Sequence, residues 1–271
     1  MIQSVRKFAI RSYKWWYLFN FSLKSATVYR ASEFAYLFGN LVSISGVLII
    51  WYANIVSGSS LYTFSFIFTY FVIGKIFFDT TEAFKLYYFG SDITDGDLNQ
   101  KLLITSNIWL YQFLKSAGNE FFQVLIEFIL IVIIAIIGWQ YLLFPTELWQ
   151  WICFLILVVL NFVHNIFLEI TLNSLYFFFT NAWGFRYLIN NLKLLTSGRI
   201  FPLDILPQIS WFTLSPFAYI YFLPMQIYLG KKDLGQSLWI ILGSVLWLVF
   251  FYFLATFVYK KGLKQYEAVG L

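Results

Sequence analysis

Long apolar runs separated by short polar breaks dominate this chain. A helix that crosses hydrocarbon needs about 20 mostly apolar residues. Six runs approach or exceed that length, at 34–57, 62–83, 120–143, 149–180, 184–200 and 237–259. The first carries no charge after Glu33, and the second holds Lys75 and Asp79. The third contains FILIVIIAIIGW. The fourth is too long to stand upright, so it is expected to tilt or project. The fifth is the least apolar, with Arg186, Asn190, Asn191 and Lys193, whereas the sixth has no charge at all.

Polar residues inside these runs are informative, because a charge at the bilayer centre costs about 2.5–3.5 kcal/mol on insertion scales and turns to the bundle interior. Lys75 and Asp79 are spaced to pair on one helix. Glu120 and Glu127 share one face of the third run. Asn161, Asn165, Glu169 and Asn173 recur every fourth residue of the fourth run. That step drifts only about 40° per repeat against a 3.6-residue turn, so the stripe stays on one side. It must meet another span, a partner subunit or a wet pathway. Interhelical hydrogen bonding and a pathway lining both account for it. His164, beside the stripe, reads as a packed polar residue rather than a proton relay.

Composition agrees with lipid as the solvent. Of 271 residues, 61% are hydrophobic, 23% aromatic and only 11% charged, against about 25% charged in soluble domains. The net charge of +5 is not gathered on a soluble domain, so nucleic acid is not the expected partner. Lys and Arg mark the cytoplasmic side of a membrane protein. With six spans and the N-terminus inside, thirteen of them fall inside and Arg199, Lys231 and Lys232 outside. Both tails are basic, which favours an even number of spans and cytoplasmic termini. Residues 4–30, with Lys7, Arg11 and Lys14 at helical spacing, suit an amphipathic helix on anionic lipid. Lys24 and Arg30 interrupt any signal-peptide core, and no small-residue cleavage site follows. One cysteine, Cys153, and one histidine exclude a disulfide framework and a thiolate metal set.

Two further segments do not span. Residues 86–117 form an inner loop in which Asp92, Asp95 and Asp97 precede a short LNQKLL helix. The acids lack the ligand spacing and closing Glu of a calcium loop, so no metal site is expected. Residues 200–232 contain Pro202, Pro207, Pro216 and Pro224, four of the chain's five prolines, yet stay apolar. Broken apolar backbone at membrane depth needs protein or water to satisfy it. This segment is expected to form short re-entrant or interfacial helices on the outer side. No G-x-x-x-x-G-K-[ST] phosphate loop and no G-x-S-x-G elbow occurs. An enzyme would have to work with Glu127 and Glu169 beside His164, as a lipid-modifying protein. A secondary transporter or channel would show matching broken helices in two halves, but the proline-rich break occurs once.

Three stretches carry a family resemblance: ITDGDLNQKLL (93–103), SGRIFPLDILP (197–207) and LSPFAYIYFLPMQIYLG (214–230). In that order, behind a basic N-terminal segment, they resemble the permease subunits of type-2 ATP-binding-cassette (ABC) exporters, closest to a branch of paired bacterial permeases once described as uncharacterised. LITSN (103–107) departs from the family's usual Leu-Pro end to this helix.

The resemblance implies an all-α membrane protein of six transmembrane helices in one permease domain, 1–271. An elbow helix occupies 1–32, spans 1–2 occupy 34–83, and a cytoplasmic coupling loop 84–117. Spans 3–5 occupy 118–200, an outer re-entrant hairpin 201–235, and span 6 with a basic tail 236–271. The coupling helix would comprise Asp95, Gly96, Asp97, Leu98, Lys101, Leu102 and Leu103. The re-entrant mark would rest on Gly198, Pro202, Pro207, Pro216 and Phe217. Lys75, Asp79, Glu127, Asn161, Asn165, Glu169 and Asn173 would line a pathway or subunit interface. The implied partners are an ABC ATPase dimer, a second permease subunit and membrane lipid. The chain itself would bind no cofactor, with ATP and magnesium in the ATPase. The implied place is the bacterial inner membrane, and the implied activity is outward movement of a substrate the family leaves open.

Overall fold

The computed structural model describes residues 15–25, 30–58, 61–82, 86–104, 108–205 and 207–266. Arg6, Lys7, Arg11, Lys14 and Lys85 lie outside the described residues. Among the described residues there are helices, turns and no strand. Among the described residues ten α-helices follow in chain order. They are α1 (15–25), α2 (Arg30–Val56), α3 (Phe64–Glu82), α4 (Tyr87–Thr94), α5 (Leu98–Ile104) and α6 (Ile108–Ile137), then α7 (Leu148–Ser174), α8 (Trp183–Thr196), α9 (Phe222–Tyr228) and α10 (Leu234–Gln265).

Six of these alternate in direction. Two ends of the bundle can be named by the short helices they hold. At the α5 end, Phe89, Ile93, Leu98 and Ile108 are buried together, with Tyr176, Phe177, Tyr259 and Tyr266 packed on them. The close of α7 and the close of α10 therefore meet the start of α6 there. At the α9 end, Phe64 meets Tyr141 edge-on at 4.9 Å. Thr69 Oγ1 there donates to the Tyr141 carbonyl at 3.2 Å and accepts from Leu143 N at 2.8 Å. Thus α3, α7 and α10 run from the α9 end to the α5 end, and α2, α6 and α8 run back.

Length separates strong spans from weak ones. Among the described residues, Phe38–Val56, Leu148–Phe177 and Leu234–Gln265 are long and apolar enough to cross a membrane singly. Ile108–Phe121 and Val124–Ile137 add a fourth if the 47° bend between them is crossed as one span. At 14 residues, α8 is about 21 Å long, short of the roughly 30 Å of hydrocarbon. The sequence reading of 184–200 as a weak fifth span is therefore met only by a helix too short to cross alone. The chain leaves the helix at Ser197 and continues as broken backbone.

The ends explain the breaks. Asp233 caps α10, its carboxylate accepting from Gln236 N at 2.7 Å while Gln236 returns a bond to Asp233 N at 3.3 Å. Two orphan amides are satisfied this way. Gly198 follows α8 at φ +84°, where an added Cβ would sit 2.8 Å from Phe222 Cβ and from the Tyr70 hydroxyl. Only glycine takes that backbone without strain. Residues 203–219 then form three 3-10 pieces, Leu203–Ile205, Pro207–Leu214 and Pro216–Tyr219. Every residue of α9 is buried. Tyr228 packs on Phe154 at 5.1 Å, and Tyr221 packs on Tyr70 at 5.3 Å.

On the outside of α6, α1 lies with Phe19 against Phe121 at 6.1 Å and Ser22 buried. Trp16, Tyr17 and Phe21 face away from the bundle. Trp and Tyr side chains favour the headgroup layer.

Candidate functional site: a charged cleft between three helices

Three helices that run side by side leave a cleft of about 350 Å³. Phe78 and Glu82 of α3, Asn165 and Glu169 of α7, and Arg186, Tyr187, Asn190 and Lys193 of α8 line it, with Arg199 beyond. The α8 residues Arg186, Asn190 and Lys193 stand at steps of four and three, so one helix face delivers them all. Arg186 and Lys193 are only 7% and 5% exposed, and buried cations need acid partners. Arg186 Nη1 donates to both Glu169 oxygens, at 3.1 and 3.0 Å. Lys193 Nζ donates to Glu82 Oε1, and to Asn165 Oδ1 at 3.4 Å. Ion pairs thus bridge α8 to α7 and α3 across the cleft.

A second arm of charge leads toward α2. Lys75 pairs with Asp79 at 2.6 Å, the pairing their spacing predicts. Arg199 approaches the same carboxylate at 3.8 Å and lies over the Phe78 ring, 4.4 Å from its centroid. Lys75 also donates to Asn40 Oδ1 at 3.5 Å, and Asn40 Nδ2 donates to Glu127 Oε1 at 2.7 Å. A smaller cavity of about 70 Å³ lies here, lined by Asn40, Ser43, Lys75 and Arg199 among others. Arg199 is therefore a wall common to both spaces.

The stripe on α7 divides by role. Asn165 and Glu169 reach the cleft. Asn161 donates to the Tyr219 carbonyl at 2.7 Å, which ties α7 to the broken segment. Asn173 turns back along its own helix to the Glu169 carbonyl at 2.8 Å. His164 is fully buried with its ring 4.4 Å from that of Phe251, away from the cleft lining. Glu82, Arg186, Lys193 and Arg199 were not among the site residues the sequence suggested. The 186–190–193 spacing was the available signal, while Asn40, isolated in an apolar stretch of α2, carried none.

The residues of the broken segment gather at the α9 end. Tyr70 Oη donates to the Gly198 carbonyl at 2.7 Å, and Phe222 N donates to the Ser197 carbonyl at 2.9 Å. Pro202 and Phe217 are buried. Pro207 opens one 3-10 piece and Pro216 the next, where Ser215 Oγ accepts from Ala218 N at 3.3 Å. Tyr62 Oη donates to Asp204 Oδ1 at 2.5 Å, and Gln226 Nε2 to Asp204 Oδ2 at 3.3 Å.

At the opposite end, residues 86–104 are two short helices rather than an open loop. Asp92 is buried and accepts from Lys101 and Gln112, whereas Asp95 and Asp97 are exposed, with Asp97 reaching Lys101 at 3.9 Å. Among the described residues no group of three or more His, Cys, Asp or Glu is placed to hold a metal. Gly96 makes the turn at φ +80°. Leu98 is wholly buried, whereas Leu103 is 88% exposed and Leu102 lies at the surface. Leu98 and Lys101 thus anchor α5 to the bundle, while Asp97, Leu102 and Leu103 face outward.

No curated protein matches the chain at a significant level. A family model described as ABC-2 family transporter protein matches residues 15–270. With an all-helical bundle, several helices fit for lipid and a match across nearly the whole length, this chain is a multi-pass membrane permease that belongs to the ABC-2 transporter family.

Proposed function

We propose that this permease is the membrane subunit of a bacterial inner-membrane exporter, driven by a separate ABC ATPase dimer that holds ATP and magnesium. Two permease subunits form the transporter, with α2 and α8 toward the interface. The α5 end faces the cytoplasm and the α9 end faces out. Cargo enters the charged cleft from the α5 end and leaves by way of the smaller cavity and the broken outer segment. The observation that carries this reading is the pair of cavities sharing Arg199. It lines a charged route along one side of the bundle, where charge would otherwise be an expensive way to hold helices together.

In the same reading α5 seats in the ATPase through Asp97, Leu102 and Leu103, while Leu98 and Lys101 hold it in place. The test is affinity capture of the tagged permease with its co-expressed ATPase. Leu103→Glu and Asp97→Lys are expected to cut ATPase recovery severalfold with insertion and thermal stability unchanged. Leu98→Ala is expected to lower stability as well. ATPase recovery that none of the three changes alter would overturn the coupling role.

A further inference from the structure

One short helix joins the cleft to α5. Helix α4 is eight residues long, and Leu86, its N-cap, lies about 9 Å from Asp92 along the axis. Asp92 is buried and accepts from Lys101 of α5 and Gln112 of α6. A carboxylate held by a cation away from water makes a strong link, and the Lys101 side chain is largely covered. At the other end, Leu86 N donates to Glu169 Oε2 at 3.3 Å. That carboxylate is the one Arg186 holds across the cleft, at 3.1 and 3.0 Å. Helix α4 therefore starts on the cleft's ion pair and ends on α5.

Its packing leaves α4 little room to shift without its neighbours. Phe89 and Ile93 are buried with Leu98 of α5 and Ile108 of α6. Gly90 comes so close to the end of α7 that an added Cβ would lie 2.8 Å from the Tyr176 ring and 3.3 Å from Asn173 Oδ1. Asn173 in turn donates to Glu169 Oε2 at 3.3 Å. Close-packed groups transmit a displacement rather than absorb it. A shift of α5 thus reaches the oxygen that Leu86 N and Asn173 share with Arg186. We infer that α4 is a lever that carries movement of α5 to the Glu169–Arg186 pair and so changes how α8 closes the cleft. Asp92 is its positioning residue, acting through Lys101 and Gln112. The inference rests on the permease reading, in which the ATPase moves α5.

The experiment reads the cleft while the ATPase acts on the opposite end of α4. Asn190, exposed on the cleft wall, is replaced by cysteine in the full chain. The permease is captured with its co-expressed ATPase and treated with a hydrophilic maleimide, with and without ATP and magnesium. Nucleotide is expected to change the labelling rate by about fivefold or more, the low end of usual coupling between sites. Adding Asp92→Asn should abolish most of that change while ATPase recovery persists. Asp92→Asn with Lys101→Gln removes the pair without stranding a charge and should do the same. Asp92→Glu, which keeps the carboxylate, should retain the response. Thermal melts confirm that each variant is folded. An equal nucleotide response in the folded Asp92→Asn protein overturns the lever alone, as does an ATPase that is captured yet changes no labelling in the otherwise unaltered permease. Failure to capture any ATPase overturns the permease reading and the lever with it.

Discussion

Buried ions set the terms at the scale of single residues. Arg186 and Glu169 are nearly inaccessible and joined at 3.0 Å. Such a pair adds little net stability, because desolvation offsets its attraction, yet losing one partner strands a charge and costs about 3–5 kcal/mol. Glu169→Gln alone is therefore expected to lower the melting temperature of the detergent-solubilised protein sharply. Glu169→Gln with Arg186→Gln should recover most of that loss. A double variant no more stable than the single one would show that Glu169 serves α7 through Leu86 N and Asn173 rather than through Arg186.

Among the elements, α8 is the one whose sequence and surroundings conflict most. It is short, one of its faces is charged and the other exposes Leu188, Leu192 and Leu195. Its backbone packs most closely against the 3-10 turn Pro216–Tyr219, so ion pairs and the exit at Gly198 fix its place. Gly198→Ala puts a methyl group against Phe222 and Tyr70 at positive φ. The expected cost is about 1–3 kcal/mol, read as a lower melting temperature. Tyr70→Phe removes only the hydroxyl bond to the Gly198 carbonyl and should cost about 1 kcal/mol. A Gly198→Ala protein as stable as wild type would mean that the break after α8 tolerates a different path. The same contrast of anchor and reader appears in α5, where one leucine is buried and another faces outward.

For the whole molecule, the alternating direction of α2, α3, α6, α7, α8 and α10 is the strongest organising fact. It places residues 86–104 and the end of α10 at one end of the bundle, and residues 203–232 at the other. Cys153, the chain's one cysteine, is buried, so single cysteines placed elsewhere report with little background. A membrane-impermeant maleimide applied to intact cells is expected to label Trp211→Cys at once, and Asp97→Cys only after the membrane is opened. Labelling of both from the same side would break the proposed orientation. An even number of spans was the expectation from the basic tails, and α8 returns the chain across the bundle although its own 14 residues are too few to span alone.

Some of this protein was decided by its residues in order. Apolar run length dictates a helical bundle in lipid, because runs of about 20 apolar residues fit spanning helices whereas the strands of a closed barrel need only about 9–11. The four-residue spacing of Lys75 and Asp79 dictates their pairing, and the prolines after Pro202 dictate broken backbone. These are local effects, carried within one or two helical turns. The cleft was decided elsewhere. Glu82, Lys193 and Asn165 come from three helices, and Arg199 stands past the end of one of them. Nothing in the spacing along the chain says which buried cation meets which acid, since that choice depends on how the helices lie beside one another. Tertiary packing alone drew the charges of α3, α7 and α8 to one space and left Arg199 between two cavities.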